Sequence, residues 1–498
     1  MRVALTDRLT GVLVAASCGD ALGAGYEFGE PLAESEPVLM RGQGPFLPGE
    51  WTDDTAQMIA VAMSAADGWD LTSEEGQDQV AAHLLDWYYS PARLKDIGIH
   101  SSAVFARAAT VEGPGQARRF REVAQAKERR EPHTSGGNGA LMRTAPVAMA
   151  MWTEPARMVK AALEIGALTH ADDRSSESCA VWCLAIRAAL LTSDPTDVTG
   201  LAASIDADLG AYLSAEAAAY WRDVLHESCG SRPADYCHSR PGNGYCVTTV
   251  RAAWAAITST PVPSALPAHH LRRALEAAVR GGGDTDTVAC VAGALLGALW
   301  GQSAVPLAWR RRVFGWPGMV DRDLVELTAR IGGGRDGVWP LSDHRDYGGW
   351  PFTDALATHP FDDGVVMGGI DAAVGFVPIP GDPIDAVVSL CMVGRTDLDH
   401  FGLGRGRHVE VRLIDRVGAN PHLQAVVDDA ADAIAQFRAE GSRVLLHCVA
   451  AQSRTPGVAA RYAVRHLGVD PEAALAAVRA VLPNASPNPE LAASVRGL

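Results

Sequence analysis

The clearest structural signal in the first part of this chain is RGGGDTDTVACVAGALLGALWG, residues 280–301. Three glycines precede Asp284, Asp286 and Thr287, and an uncharged run rich in Ala, Leu and Val follows them. Small and aliphatic residues at helical spacing predict an α-helix. We therefore expect an apolar helix that begins at a group of acids and hydroxyls.

A second stretch, EWTDDTAQMIA at residues 50–60, shows the same pattern of acids and hydroxyls before an apolar run. Thr52, Asp53 and Asp54 stand at the start of another apolar helix. A single Thr or Asp suffices to cap a helix and to suit its dipole, so capping leaves the second carboxylate unexplained.

If these two helix starts face each other, their four aspartates meet at one site. Like charges in a partly buried site force some carboxyls to protonate unless cations neutralise them. All-oxygen ligands suit Mg²⁺, Mn²⁺ or Ca²⁺ rather than Zn²⁺. The two stretches therefore predict a site for two divalent cations, with surface capping as the alternative.

Two domains are expected from the pattern along the chain. Residues 1–335 are rich in Ala and Leu at helical spacing, which predicts a large all-α domain. Residues 336–352 are rich in glycine, proline and charge, which predicts a linker. In residues 353–498, short β-like runs such as SRVLLHCV alternate with helical segments, which predicts a small α/β domain with a largely parallel sheet.

Composition limits the partners and the location. The net charge of −16 excludes general binding to nucleic acid or anionic membrane, and no apolar run reaches the length of a membrane span. Nine scattered cysteines without a CxxC pair indicate reduced thiols and a cytoplasmic protein. The apolar segment at residues 9–19 predicts a buried first helix rather than a targeting signal.

Five motifs in a fixed order resemble the ADP-ribosylglycohydrolase family. They are GDALGAGYEF, WTDDT, GGNGALMRTAPVA, LTH and GGDTDTVA, and the resemblance covers roughly residues 5–310. The resemblance implies an all-α fold, two Mg²⁺ or Mn²⁺ ions, and cleavage of the N- or O-glycosidic bond between ADP-ribose and an acceptor. It implies these metal ligands: Thr52, Asp53, Asp54, Asp284, Asp286 and Thr287.

The same resemblance implies further site residues. Glu27 would act beside the metals, either gating the site or handling the water, unless it is an ordinary surface carboxylate. The glycine-rich segment would let backbone N–H groups approach a diphosphate, or it is a plain loop. His170 is either structural or a contact to ribose or acceptor. The substrate-binding residues predicted in this way are Gly137, Asn138, Gly139, Met142, Arg143 and His170.

A second constellation is LLHCVAAQSRTP, residues 445–456, between a β-like run and a helix. A thiol at a helix N-terminus beside arginine suits a nucleophile within a phosphate-binding loop. The segment resembles the loop of dual-specificity-type cysteine phosphatases, which implies that Cys448 is the nucleophile, Arg454 binds phosphoryl oxygens and Thr455 assists thiolate departure. Asp415 is the candidate general acid, or a turn aspartate. Ala451 stands where that family has glycine, so phosphate binding without turnover, or a merely structural Cys448, stays open.

The sequence thus predicts a bifunctional cytoplasmic hydrolase that acts on ADP-ribosylated substrates and on phosphomonoesters. The acceptor could be a protein, a nucleic acid or a small molecule. The rival hypothesis is a regulatory protein that binds ADP-ribose and phosphate while one or both domains are catalytically silent.

Overall fold

The computed structural model describes residues 2–109, 115–239, 241–331, 347, 355–482 and 484–497. The predicted linker, residues 336–352, lies outside the described residues except at Tyr347. The predicted domain limits therefore stay predictions.

Helices make up the first domain, as the sequence predicts, with one short hairpin of β1 (Phe314–Gly315) and β2 (Met319–Val320). The helices are α1 (Arg2–Gly23), α2 (Asp53–Ala66), α3 (Glu74–Tyr89), α4 (Ile99–Ala108), α5 (Gln116–Arg130), α6 (Ala145–Met151), α7 (Pro155–Gly166), α8 (Asp173–Leu191), α9 (Val198–Tyr212), α10 (Ala215–Ser228), α11 (Cys246–Ser259), α12 (His269–Arg280), α13 (Thr285–Trp300), α14 (Leu307–Arg310) and α15 (Asp321–Ile331).

Helix α13, which contains the apolar run of the opening stretch, is buried at every residue and packs most closely on α1. Glycines allow this approach. A methyl group at Gly19 of α1 would overlap the carbonyl oxygen of Ala289, and one at Gly297 of α13 would overlap that of Gly11. The two backbones are therefore in direct contact, and their side chains pack into one core with those of α2 and α8.

The second domain is built on a five-stranded sheet with the strand order β3-β4-β7-β5-β6. Strands β3 and β4 are antiparallel and the other pairs are parallel. The strands are β3 (Leu356–His359), β4 (Asp362–Gly368), β5 (Ala386–Ser389), β6 (His408–Glu410) and β7 (Val444–His447), and the helices are α16 (Ile370–Ala373), α17 (Leu423–Ala439), α18 (Arg454–Leu467), α19 (Pro471–Val481) and α20 (Pro489–Val495).

Alternate residues of the central strands enter two different cores. Val388 and Leu446 face the helices α17 to α20, whereas Val387 and Leu445 face α16 and the connecting segments. Both faces of the sheet are thus covered, which explains why these strands are nearly continuous apolar runs in the sequence.

The two domains touch through the end of the helical domain. Leu307 of α14 packs into the core of the second domain, and its backbone N–H donates to Asp429 Oδ2 at 2.7 Å. The Arg311 guanidinium pairs with Glu440 at 2.5 Å, and His422 Nε2 lies 2.9 Å from the carbonyl oxygen of Trp300. None of the helices in the described ranges has the length and apolar character needed to cross a membrane.

Candidate active site

The start of α2 is held against α1 by one carboxylate. Asp20 of α1 accepts hydrogen bonds from Thr52 N at 3.0 Å, Thr52 Oγ1 at 2.9 Å and Thr55 N at 2.9 Å. Asp20 therefore satisfies N–H groups that the first turn of α2 cannot satisfy within the helix. Asp53 and Asp54 are consequently not needed as caps.

The start of α13 is set by the glycines that precede it. Gly282 and Gly283 have φ of 73° and 72°, in the left-handed region that favours glycine. Gly283 also exchanges backbone hydrogen bonds with the segment that follows Glu27, donating to Gly29 O at 2.9 Å and accepting from Phe28 N at 2.7 Å. This turn brings Asp284 and Asp286 beside Glu27.

Carboxylates from both helix starts meet in one place, which we call the carboxylate centre. One carboxylate oxygen from each of Asp20, Asp54 and Asp286 lies within 4.8 Å of the others, and the same holds for Glu27, Asp284 and Asp286. Asp286 belongs to both groups and joins them. The carboxyls of Asp53 and Asp96 lie close enough to interact electrostatically with these groups. We therefore define the centre as seven carboxyl groups: Asp20, Glu27, Asp53, Asp54, Asp96, Asp284 and Asp286.

Burial and mutual repulsion act on these groups in the same direction. Burial, followed by the neighbouring carboxylates, raises the pKa of Asp53, Asp54 and Asp286 well above the usual range. Burial is also the main reason that the pKa of Glu27 rises to about 8. Across residues 2–109, 115–239 and 241–331, no Lys or Arg forms an ion pair with any member of the centre.

The donors fit two hard divalent cations. The members of the carboxylate centre offer oxygen atoms only, and Asp54 Oδ1 is buried without a hydrogen-bond partner. An unsatisfied buried carboxylate oxygen is costly, and a cation bound there would remove the cost. Oxygen ligands in two groups that share Asp286 match a pair of Mg²⁺ or Mn²⁺ ions.

A buried network supports Asp53 from behind. Gln57 Nε2 donates to Asp53 Oδ2 at 2.9 Å, and Gln57 Oε1 accepts from Arg143 at 2.6 Å. Arg143 also donates to Thr169 Oγ1 at 2.5 Å, which lies 2.8 Å from His170 Nδ1. Arg143 is completely buried, so this structure places its guanidinium behind the carboxylate centre and not at an accessible surface. Its predicted contact with substrate stays a prediction.

The predicted substrate loop, residues 137–139, contacts the centre directly. Asn138 Nδ2 donates to Asp284 Oδ2 at 2.8 Å and orients that carboxylate. The imidazole of His170 packs against Gly139, where a methyl group would stand only 3.1 Å from the ring. Burial lowers the pKa of His170 well below its ordinary value, so the ring is neutral. Met142 is buried on a short 3₁₀ turn, Leu141–Arg143. These glycines thus make room for a side chain of the protein itself.

Sequence reasoning missed two members of the centre. Asp20 lies within the motif GDALGAGYEF and is the only charged residue between Arg8 and Glu27, which was a usable signal. Asp96 precedes α4 in a segment without periodicity, and only the folded chain places its carboxyl beside that of Asp53. The structure brings the predicted ligands Thr52, Asp53, Asp54, Asp284, Asp286 and Thr287 together at this centre, and their ligation of metal stays a prediction.

The ADP-ribosylglycohydrolase family model matches residues 1–338, more than half of the chain. The chain belongs to the ADP-ribosylglycohydrolase family. The ADP-ribosylarginine hydrolase Tri1 of Pseudomonas putida (strain GB-1) is 28% identical over 345 residues, covering 65% of this chain and 78% of Tri1. The ADP-ribosylhydrolase ARH3 of Bos taurus is 26% identical over 344 residues, covering 62% of this chain and 89% of ARH3.

Among solved structures, an "ADP-ribosylglycohydrolase-related protein complex" is similar, with 26% identity and a TM-score of 0.50. The match covers 66% of this chain and 99% of that chain. The family therefore accounts for the helical domain that carries the carboxylate centre, and the match to residues 1–338 does not include the second domain.

In the second domain, the predicted strand–loop–helix is present. Cys448 follows β7, and α18 begins at Arg454. We call residues 448–453 the thiol loop. The loop occupies the carboxyl end of a central parallel strand and leads directly into a helix N-terminus, a common place for a bound anion. Cys448 is buried within this loop.

Two polar side chains, those of Arg454 and Asp415, lie beside the thiol loop. Arg454 donates from one nitrogen to the carbonyl oxygens of Leu390 and Leu413, at 2.8 and 3.1 Å, and its Nε has no hydrogen-bond partner. Asp415 lies 3.9 Å from Arg454 Nε and accepts from Ser453 Oγ at 2.6 Å. The predicted acid therefore faces the predicted anion-binding arginine.

Two further residues of the predicted phosphate site, Thr455 and Ala451, differ from what an anion-binding loop favours. The hydroxyl of Thr455 is buried and directed at the carbonyl oxygen of Gly368, 3.5 Å away. Ala451 has a φ of 52°, in the left-handed region that an alanine side chain disfavours. The loop thus keeps the backbone conformation for which glycine is the natural residue.

Proposed function

We propose that this protein hydrolyses the glycosidic bond of ADP-ribosylated substrates with two divalent cations held at the carboxylate centre. Membership of the ADP-ribosylglycohydrolase family supports the reaction class. The observation that carries the metal assignment is the convergence of seven carboxyl groups without an ion-pair partner in the described part of the chain.

The residues present divide into ligands and supports. Asp54, Asp284 and Asp286, with Asp20 and Asp53, would hold the cations, and Thr52 and Thr287 add hydroxyl oxygens at the same helix starts. When bound, the cations would supply Lewis acidity to a water molecule and charge stabilisation to an oxocarbenium-like centre. Gln57 and Asn138 hold Asp53 and Asp284 in orientation through single hydrogen bonds.

Glu27 is the candidate for proton transfer. It is half-buried at the edge of the centre, whereas Asp54 and Asp286 are buried below it. Its carboxyl can therefore reach both the centre and an approaching substrate. We assign to Glu27 the removal of a proton from the attacking water or its delivery to the departing group.

Release of free ADP-ribose from ADP-ribosylarginine and from an O-linked conjugate, with Mg²⁺ or Mn²⁺, tests the proposal. We expect Asp284→Asn and Asp286→Asn to lower kcat/KM at least about 100-fold. Each change removes a negative charge that would hold the cations, and bound cations stabilise the transition state by several kcal/mol. Asp235→Asn, at an exposed aspartate of the same domain, is the matched control. A protein that binds ADP-ribose with full metal occupancy and never turns over would establish the regulatory alternative.

We infer a second activity, hydrolysis of phosphomonoesters, from the contacts of the thiol loop. Cys448 would attack phosphorus and form a phosphocysteine while the ester oxygen leaves with a proton from Asp415, and water would then release phosphate. The pairing of Asp415 with Arg454 across the loop supports this inference.

Hydrolysis of p-nitrophenyl phosphate tests the second activity. Cys448→Ser should abolish it, whereas Cys391→Ser, at another buried thiol of the same domain, should retain it. If both variants release phosphate at the parental rate, the phosphatase assignment is wrong. If the parent protein binds phosphate without hydrolysing any ester, the loop is a binding site only.

A further inference from the structure

A cavity of 460 Å³ lies between the two domains, apart from both sites described above. One wall comes from the end of the helical domain, at residues 302–325, and the other from residues 395–412 of the second domain. We call it the interdomain cavity. None of the residues that line it belongs to the carboxylate centre or the thiol loop.

Arginine dominates the lining of this cavity, although the chain as a whole carries a net charge of −16. Six arginines line it: Arg310, Arg311, Arg322, Arg395, Arg405 and Arg412. Four of them are held in ion pairs, with Asp321, Glu440, Glu410 and Asp323 respectively. The positive charges of these four arginines are therefore offset by carboxylates of the protein. Two lining arginines, Arg412 and Arg405, have no such ion pair among the described residues.

Arg412 is the first of the two. It is partly buried, and it makes no hydrogen bond or ion pair with any residue that the structure describes. Asp7 is the carboxylate that acts on it electrostatically, but Asp7 is occupied by the backbone N–H and hydroxyl of Ser303, at 3.1 and 2.6 Å. A guanidinium withdrawn from water without a counter-ion is costly, so a bound anion would stabilise it.

Arg405 is the second. Its guanidinium stacks over the ring of Phe314 at 3.6 Å and makes no ion pair in the described part of the chain. Stacking leaves the edge of the guanidinium, which carries its N–H donors, free to bind an anion. Arg405 is exposed, whereas Arg412 is partly buried.

A neutral hydrogen-bonding group completes the lining. His408 lies in the wall, and its Nε2 is 2.9 Å from Ser389 Oγ. Ser389 Oγ is in turn 2.6 Å from Nε2 of His447, the residue before Cys448. The wall of the cavity is thus connected to the base of the thiol loop by two hydrogen bonds, while remaining outside it.

We propose that the interdomain cavity binds a phosphate-bearing small molecule, with Arg412 and Arg405 as the residues that grip its phosphate oxygens. Arginine suits phosphate because its planar fork donates two parallel hydrogen bonds. The volume falls within the roughly 300–1,000 Å³ of typical ligand pockets, so a mononucleotide fits as well as free pyrophosphate does. The proposal is independent of either hydrolase activity.

Isothermal titration of the full chain with inorganic pyrophosphate and, separately, with AMP tests this site. A chelator keeps the carboxylate centre free of metal, and the background variant Arg454→Gln removes the thiol loop as a competing anion site. Against that background, Arg412→Gln should weaken binding at least tenfold and Arg405→Gln severalfold. Arg479→Gln, at an exposed arginine of α19, should change nothing.

Tighter binding of AMP than of pyrophosphate would identify a nucleotide, and equal binding would identify the phosphate alone. Thermal unfolding of each variant shows whether it is folded, and Arg405→Gln gives a second answer if Arg412→Gln is not. Unchanged affinity in both variants, or loss of all binding with Arg454→Gln alone, would overturn the proposal.

Discussion

The carboxylate centre and the thiol loop solve the problem of buried charge in opposite ways. The first gathers seven acids and no paired base within the described residues, so it is electrostatically incomplete in the protein alone. The second sets one arginine against one aspartate, and two backbone carbonyls accept from the arginine, whose Nε has no hydrogen-bond partner. We therefore expect the first region to gain stability from a bound cation, and the second region, whose arginine and aspartate lie beside each other, to gain none from it.

The largest effect that separates the two regions is the response to divalent ions. Mn²⁺ at about 100 times its Kd should raise the free energy of unfolding by about 2.7 kcal/mol, since it binds only the folded state. In Asp286→Asn this gain should disappear, and the metal-free variant should be more stable than the metal-free parent because repulsion is relieved. Thermal unfolding with Mn²⁺ and with chelator measures both.

Cys448→Ser is the matched control for that experiment, because it changes the thiol loop and leaves the carboxylate centre intact. Its Mn²⁺-induced stabilisation should equal that of the parent protein. A parental Mn²⁺ response in Asp286→Asn would contradict the contrast between the two regions.

A smaller effect concerns Asp429, the acid that joins the two domains. Burial is the main cause that raises its pKa to about 7. The folded state therefore holds a proton that the unfolded state releases above about pH 4, so stability falls as the pH rises from about 4 to 7. Asp429→Asn keeps an oxygen acceptor for Leu307 N–H and loses this dependence.

We expect Asp429→Asn and the parent protein to have similar stability at pH 4.5. At pH 8 the variant should be more stable by about 2 kcal/mol. This is less than the full pKa difference would give, because the carboxyl lines a small cavity in which water can screen its charge. Urea unfolding at the two pH values measures the difference. An equal difference at both would show that the Asp429 carboxyl does not change its protonation on unfolding.

The smallest effect tests the thiol loop itself. Ala451→Gly should raise the free energy of unfolding by about 0.5–1 kcal/mol, because glycine adopts the positive φ without the cost of a side chain. Ala450→Gly is the matched control at the neighbouring position, whose φ is not positive, and it should destabilise by a similar amount. Destabilisation by both changes would mean that the loop holds Ala451 without strain.

The helical domain was predictable because the features that specify it lie within short segments of the sequence. Helical spacing of Ala and Leu and the acids at two helix starts are properties of short segments, and the structure places those starts together. The β-like runs around Val387 and Leu445 likewise predicted a largely parallel sheet, since both faces of these strands are buried.

What escaped prediction depends on the folded chain. The position of Asp96 beside Asp53, and the burial of Arg143 behind Gln57, result from contacts between segments far apart in sequence. The interdomain cavity has walls from residues about one hundred positions apart, and no local pattern marks Arg405 and Arg412 as the lining arginines without an ion pair among the described residues.

The direct backbone contact between α1 and α13 has a consequence for ion choice. A methyl group at Gly23 would overlap the backbone of Asp286, so the helix carrying Asp20 has no slack relative to the helix carrying Asp286. The contact prevents these two backbones from moving closer together. We therefore expect any adjustment of the carboxylate centre to a smaller or larger divalent cation to come from its side chains, while the spacing of α1 and α13 stays the same.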